Sequence, residues 1–437
     1  MAVSLPEMTF QRPSATIVER DLSVLLGLKS LLRRRLADWQ LTFFSDPDAA
    51  LLQVEEEEPH VVVAELDLPG FEGVTFLEEI RMRAPSSVRL LLTSYASDSE
   101  VVGAAAVAHQ LLTKPRDVAR LPEVLESAWR VSSLLRDPAH RDMVAESNEL
   151  PPAPSVFMRL CAVLDGARPS AEDVATVIEQ DAGLAGRVVQ VAQSTLFGAR
   201  VPPRSVREAV VRLGFELTRG LALSAHLEGI VPARVEGFDA ESFGRRGLST
   251  GMMMRRLASR ADREEAFLTG IVHGVGLLLF AGRRPAQFSR IAREAKARGV
   301  PMAEVMHEQL GITDAELGAY LLGLWGFPTR MVAAVGRQHH PKQLMGGTPD
   351  ACDTIYVARR LAVDPDVVVE NDPPVGANTL DGAFIDAWGG RTRLDAWRHV
   401  ARSVGGVEPR EGRRRSTSGT RPAPAEISHA WRSRLAP

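Results

Sequence analysis

From residue 15 to about residue 132 the chain alternates short aliphatic runs with helical patterns, and after Asp137 the runs stop. Nearly continuous aliphatic runs suit strands buried on both faces, and their alternation with helices marks a parallel sheet covered on each side. Strands are expected over residues 15–18, 41–44, 61–65, 89–93 and 110–112. The second is placed by the helix over 23–37, whose leucines recur at spacings of three and four. This reading needs five strands and five helices in the α/β unit. Beyond it, nearly everything to Leu361 has helical period, with breaks at 151–154, 167–170, 201–205 and 299–301, so an all-α unit follows.

The domain plan is an α/β unit over 13–132, a linker over 133–149, a helical unit over 150–362 and a mostly disordered tail over 363–437. Pro, Gly, Asp and Arg dominate that tail, which has one expected helix near 394–403 and an arginine-rich run from Arg410 to Arg415. A net charge of -3 provides no global basic field, so nucleic acid is not an expected partner. The N-terminus lacks a basic, then apolar, leader, and no stretch of about 18 apolar residues stands out, so the expectation is a cytoplasmic protein without a membrane span. Cys161 and Cys352 show neither pairing nor metal-ligand spacing and read as reduced, inert thiols.

The segment Glu65-Leu66-Asp67-Leu68-Pro69-Gly70, with Thr93-Ser94-Tyr95 and Leu112-Thr113-Lys114-Pro115 downstream, resembles the response-regulator receiver family over about 120 residues. The resemblance implies a flavodoxin-like domain in which an Asp ending the third strand accepts a phosphoryl group. An acidic pair after the first strand helps hold Mg²⁺, and a Thr and a Lys contact the phosphoryl oxygens. Here Thr93 and Lys114 remain, but Glu65 takes the acceptor position and the acidic pair reads Glu19-Arg20. A guanidinium cannot ligate a cation, and the extra methylene of Glu65 displaces its carboxylate from in-line geometry. The family's aromatic switch position holds Leu111. Glu65 is read either as a fixed mimic of the charged state or as part of a pocket closed by an ion pair to Arg20 or Lys114, with the second favoured. Asp67 is disfavoured as a substitute acceptor because strand alternation turns it away from Thr93 and Lys114.

The helical unit resembles the HDOD family, an offshoot of the HD phosphohydrolases. The resemblance rests on Leu150-Pro151-Pro152, Val177-Ile178-Glu179-Gln180-Asp181, Ala192-Gln193-Ser194, Val211-Arg212-Leu213-Gly214, Gly270-Ile271-Val272-His273-Gly274 and Trp325-Gly326-Phe327-Pro328. Hydrolases of the wider superfamily hold metal through a His-Asp doublet and further histidines, which activate a bound water. Here the doublet reads His273-Gly274, and the upstream helix reads Phe243-Gly244-Arg245-Arg246-Gly247 without a histidine. Asp314 and Glu316 mark a further candidate position. His339 and His340 diverge by about 100° on a helix, so at most one of them can join His273. The expectation is a non-catalytic signalling protein with a pseudo-receiver and an HDOD output domain, with no catalytic residues, metal or cofactor. It would act on protein partners, with a homodimer through the receiver face of its fourth helix, fifth strand and fifth helix as a further expectation. The alternative is a divergent metal-dependent phosphohydrolase of nucleotides or cyclic dinucleotides.

Overall fold

The computed structural model describes residues 12–93, 107–135, 154–166, 168–193, 202–229, 231–340, 351–370 and 378–404. The first unit runs β1 (Ser14–Val18), α1 (Leu22–Arg35), β2 (Gln40–Phe44), α2 (Pro47–Glu57), β3 (Val61–Glu65), the short pair β4 (Asp67–Leu68) and β5 (Phe71–Glu72), α3 (Gly73–Arg83), β6 (Val88–Thr93), β7 (Gln110–Thr113) and α4 (Leu121–Leu135). The five long strands form one parallel sheet in the order β2-β1-β3-β6-β7. All residues of β3 and β6 are buried; β3 is apolar up to Glu65, and β6 is apolar apart from its final Thr93 and Arg89, whose Nε donates to the Val107 carbonyl at 2.7 Å. The expected strands are thus present, each within a residue or so of its expected ends; the β4/β5 pair was not foreseen, and the expected fourth helix falls on residues 94–106, outside the described ones. Asp21 caps α1 by accepting from the Ser23 and Val24 amides at 2.8 and 3.2 Å, which fixes the chain just beyond the end of β1.

The helical unit comprises α5 (Ser155–Asp165), α6 (Ala171–Glu179), α7 (Ala182–Gln193), α8 (Val206–Leu213), α9 (Phe215–Gly229), α10 (Ala240–Leu257), α11 (Arg263–Val272), α12 (Val275–Arg283), α13 (Pro285–Arg298), α14 (Met302–Leu310), α15 (Asp314–Leu324), α16 (Thr329–Gly336) and α17 (Ile355–Leu361). Capping residues set these boundaries: Ser205 accepts from the Glu208 amide at 3.1 Å, and Thr313 and Glu316 form a reciprocal capping box at the start of α15. Helices α12 and α15 cross at Gly276, where a Cβ would lie 2.1 Å from the Asp314 carbonyl oxygen, so only glycine fits.

Two expectations need correction. The span Arg263–Arg283 contains an 18-residue window of mean hydropathy 1.6, long and apolar enough to cross a membrane, although no such stretch was singled out from the sequence. It is α11 and α12 broken at His273-Gly274, and 78% of that window is buried inside the protein. The mostly disordered tail, in turn, folds over 378–404. Strand β9 (Leu380–Asp381) pairs with β8 (Val369–Glu370), followed by α18 (Gly382–Ala387) and α19 (Gly390–Val404). Leu394, Trp397, Ala401 and Val404 recur at helical spacing and are buried, and Trp388 stacks on Phe384 at 5.1 Å. Local periodicity outweighs a composition rich in Gly, Pro and Arg, because a few buried aromatics stabilise a short segment once a surface exists to receive them. The arginine-rich run from Arg410 lies outside the described residues.

The two units pack directly. The Gln110 side chain, 5% exposed on the edge strand β7, donates to the Gly323 and Leu324 carbonyls at 3.3 and 3.0 Å. Both carbonyls belong to the last turn of α15, and that of Gly323 also accepts from the Gly326 amide at 3.2 Å. Helix α4 packs on α15, and α5 packs on β7. The face that includes the fifth strand and the last helix of the α/β unit thus packs against the helical unit within the chain.

Candidate functional site

At the carboxyl edge of the sheet the strand ends bring Glu19, Arg20, Glu65, Thr93 and Lys114 to one place, beside the point where strand order reverses between β1 and β3. Lys114 Nζ donates to Glu19 Oε2 at 2.7 Å and to Glu65 Oε1 at 2.8 Å. Glu65 Oε2 accepts from the Arg20 amide at 3.3 Å, and Glu19 Oε1 from the Asp21 amide at 3.0 Å. The Arg20 guanidinium is half exposed and turns outward to pair with Asp67, reaching Glu65 only at 3.9 Å. Of the two ion pairs considered for Glu65, the one to Lys114 is the close contact. Thr93 is buried at the end of β6, and its carbonyl accepts from the Lys114 amide at 2.7 Å. Asp67 is exposed and pairs with Arg20.

Burial raises the pKa of Glu19, whereas at Glu65 burial is outweighed by hydrogen bonds with Glu19 and Lys114 and the carboxyl titrates below its ordinary value. Burial likewise opposes the charge of Lys114, but the two carboxylates more than offset it and raise its pKa. The oxygens that would face Mg²⁺ are thus spent on an ammonium, and the second acidic position holds an arginine. As arranged, these residues do not fit a divalent cation.

In the helical unit His273 ends α11. Its Nδ1 lies 2.7 Å from the Gly270 carbonyl, which can only accept, so Nδ1 carries the proton. Burial, together with the positive charge of Arg359, lowers the His273 pKa to about 4, leaving a neutral ring at pH 7. Gly274 follows with the Phe243 ring against it: a Cβ there would lie 2.5 Å from Phe243 Cζ. The carboxylate of a His-Asp doublet would have to grow into that ring. His339 faces the same cluster, whereas His340 lies in the fields of Glu316 and His307. Arg359 Nη1 donates to His339 Nδ1 at 2.7 Å, so His339 Nε2 carries the proton donated to Asp314 Oδ1 at 2.9 Å. Gln338 Nε2 donates to the His273 carbonyl at 3.0 Å. Among the described residues no three His, Cys, Asp or Glu side chains are grouped so as to hold a metal ion. The donor set does not fit one: Asp314 is bound by an imidazole, and a guanidinium lies on the other face of that imidazole.

Sequence reasoning did not single out Arg359 or Gln338. The signal was there in part, since Arg359 and Arg360 interrupt the otherwise apolar stretch of Ile355–Leu361. A basic pair in a short buried helix calls for an internal partner.

The fold and its two sites define a protein of signal transduction: a receiver-type sheet packed against an HD-related helical domain. Residues 15–126 match the response regulator receiver domain and residues 150–341 match the HDOD domain, so the chain is a response-regulator receiver joined to an HDOD domain. Over 126 residues it is 29% identical to the probable transcriptional regulatory protein TcrX of Mycobacterium tuberculosis, covering 29% of this chain and 51% of that one, about half the length of this curated relative. Solved structures similar to it include a Shewanella amazonensis protein named as a candidate phosphohydrolase, with 26% identity, a TM-score of 0.44, and 62% of this chain and 94% of that chain covered. Another is a Geobacter sulfurreducens HDOD protein of unknown function, with 17% identity, a TM-score of 0.47, and coverage of 61% and 97%.

Proposed function

We propose that this chain is a non-catalytic signalling protein that works through contact with protein partners, its receiver taking no phosphoryl group and its HDOD domain holding no metal or cofactor. The observation that carries this reading is the Lys114 ammonium held between Glu19 and Glu65. A receiver lysine must meet phosphoryl oxygens and its acidic pair must meet Mg²⁺; here each group satisfies the other, which favours a closed pocket over a mimic of the charged state. Phosphoryl transfer without a neutralising cation lacks its main electrostatic support. The working surface is then helical, the site of action is cytoplasmic, and neither a membrane nor nucleic acid takes part. Incubating the chain with acetyl phosphate and Mg²⁺ tests the receiver half: a stable phosphorylated species lost on Glu65→Ala would overturn it.

The alternative, hydrolysis of nucleotides or cyclic dinucleotides by a bound metal, draws on the proximity of His273, His339 and Asp314 and on the name of the Shewanella relative. It requires Asp314 and His339 to give up their present hydrogen bonds. Elemental analysis of purified protein beside hydrolysis assays separates the two readings. Near-stoichiometric Fe, Mn or Zn with turnover, both lost on His273→Ala, would establish the hydrolase.

A further inference from the structure

The HDOD cluster holds two guanidiniums without a direct carboxylate partner among the described residues, although the Asp314 carboxylate acts on Arg359 through space. Arg359 spends Nη1 on His339 Nδ1 and, at 3.4 Å, on the Gln338 carbonyl; its Nε and Nη2 have no partner among the described residues, nor does the guanidinium have a carboxylate within ion-pair distance. The nearby acid Asp314 is bound by His339 instead. Arg246, on α10, likewise has no hydrogen bond or ion pair among the described residues, while its neighbour Arg245 takes Glu241. Helices α10 and α17 pack together, and both arginines act on the His273 ring. The Arg359 guanidinium, largely drawn out of water, loses hydration that only an acceptor can replace, and an anion replaces it best, while the exposed Arg246 stands at the rim. The cluster also holds acceptors: neutral His273 has its Nδ1 proton on Gly270, which leaves the Nε2 lone pair, and the buried Gln338 Oε1 has no partner among the described residues. Donor forks beside acceptors suit an oxyanion that still bears a hydroxyl.

We propose that the Arg246–His273–Arg359 cluster binds the phosphoryl group of a small phosphorylated anion, so that two arginines receive directly what a hydrolase would hold through metal. This rests on the metal-free reading of the HDOD domain. Hydrogenphosphate carries a hydroxyl that sulfate lacks at neutral pH, so phosphate should bind in preference to sulfate.

The test is calorimetric titration of the full chain, stripped with chelator and checked by elemental analysis, with inorganic phosphate, adenosine monophosphate and sulfate. Saturable binding of phosphate or of the nucleotide, weaker sulfate binding, and a loss of about tenfold or more in affinity on Arg359→Gln are expected. Arg246→Gln, at an exposed position where folding is not at risk, should weaken binding similarly. Tighter binding of the nucleotide than of free phosphate assigns a nucleotide-type ligand, and equal binding assigns the phosphoryl group alone; both support the proposal. Metal-free protein that binds neither, that prefers sulfate, or whose Arg246→Gln variant binds as the parent does, overturns this proposal alone. Binding that appears only when metal is restored overturns the metal-free reading as well.

Discussion

The ring of Phe243 stands where the side chain of residue 274 would begin: a Cβ on Gly274 lies 2.5 Å from Phe243 Cζ. Phe243 is itself buried and packed at 5.6 Å against Phe238, so it has little room to swing away. Rebuilding the His-Asp doublet by Gly274→Asp should therefore destabilise the protein by about 2–4 kcal/mol through overpacking and burial of a carboxylate. Adding Phe243→Ala should recover part of the loss. Denaturant unfolding of the three variants measures this; a fully stable Gly274→Asp would contradict it.

Lys114→Met leaves Glu19 and Glu65 facing each other without their cation. A loss of about 3–5 kcal/mol is expected, largely recovered when Glu65→Gln is added. Arg20→Ala should cost under about 1 kcal/mol, because its guanidinium pairs with Asp67 in solvent. A double-mutant cycle should thus place strong coupling between Lys114 and Glu65 and weak coupling between Arg20 and Glu65. The opposite ranking would refute the assignment.

The neutral state of His273 has a pH signature. Its pKa falls from 6.5 to about 4 on folding, so between these values the unfolded chain binds more protons and stability rises with pH. As pH drops from 6.5 toward 4, up to about 3 kcal/mol is lost through this group, and below that window it contributes no further loss. His339 and His340, shifted the same way, add to the slope. His273→Gln should flatten the curve of unfolding free energy between pH 4 and 6.5; an unchanged slope would show that His273 is not held neutral.

Gln110→Leu removes both hydrogen bonds to the end of α15 and leaves the Gly323 and Leu324 carbonyls facing an apolar side chain. A loss of about 1–3 kcal/mol is expected. It should appear as earlier exchange of amide protons along α4 and α15 rather than in α1. Uniform exchange across the sheet would show that Gln110 does not tie the units together.

The chain's own pattern determined the strands and their parallel sheet, because strands buried on both faces are mostly apolar, as β3 and β6 are apart from Glu65, Arg89 and Thr93. The resemblance carried by its motifs also places Glu65, Arg20 and Gly274 at positions that receiver and HD hydrolase motifs define, since motif spacing is local and survives without coordinates. The tertiary structure decided what each of these positions meets. Lys114 lies 49 residues from Glu65, Phe243 reaches Gly274 from another helix, and Arg359 meets His339 across 20 residues. The same holds for α18 and α19, whose tryptophans gain free energy only against a core built by distant helices. Side-chain pairing and burial depend on where separate elements dock, and that is set by packing over the whole core rather than by any one segment's period.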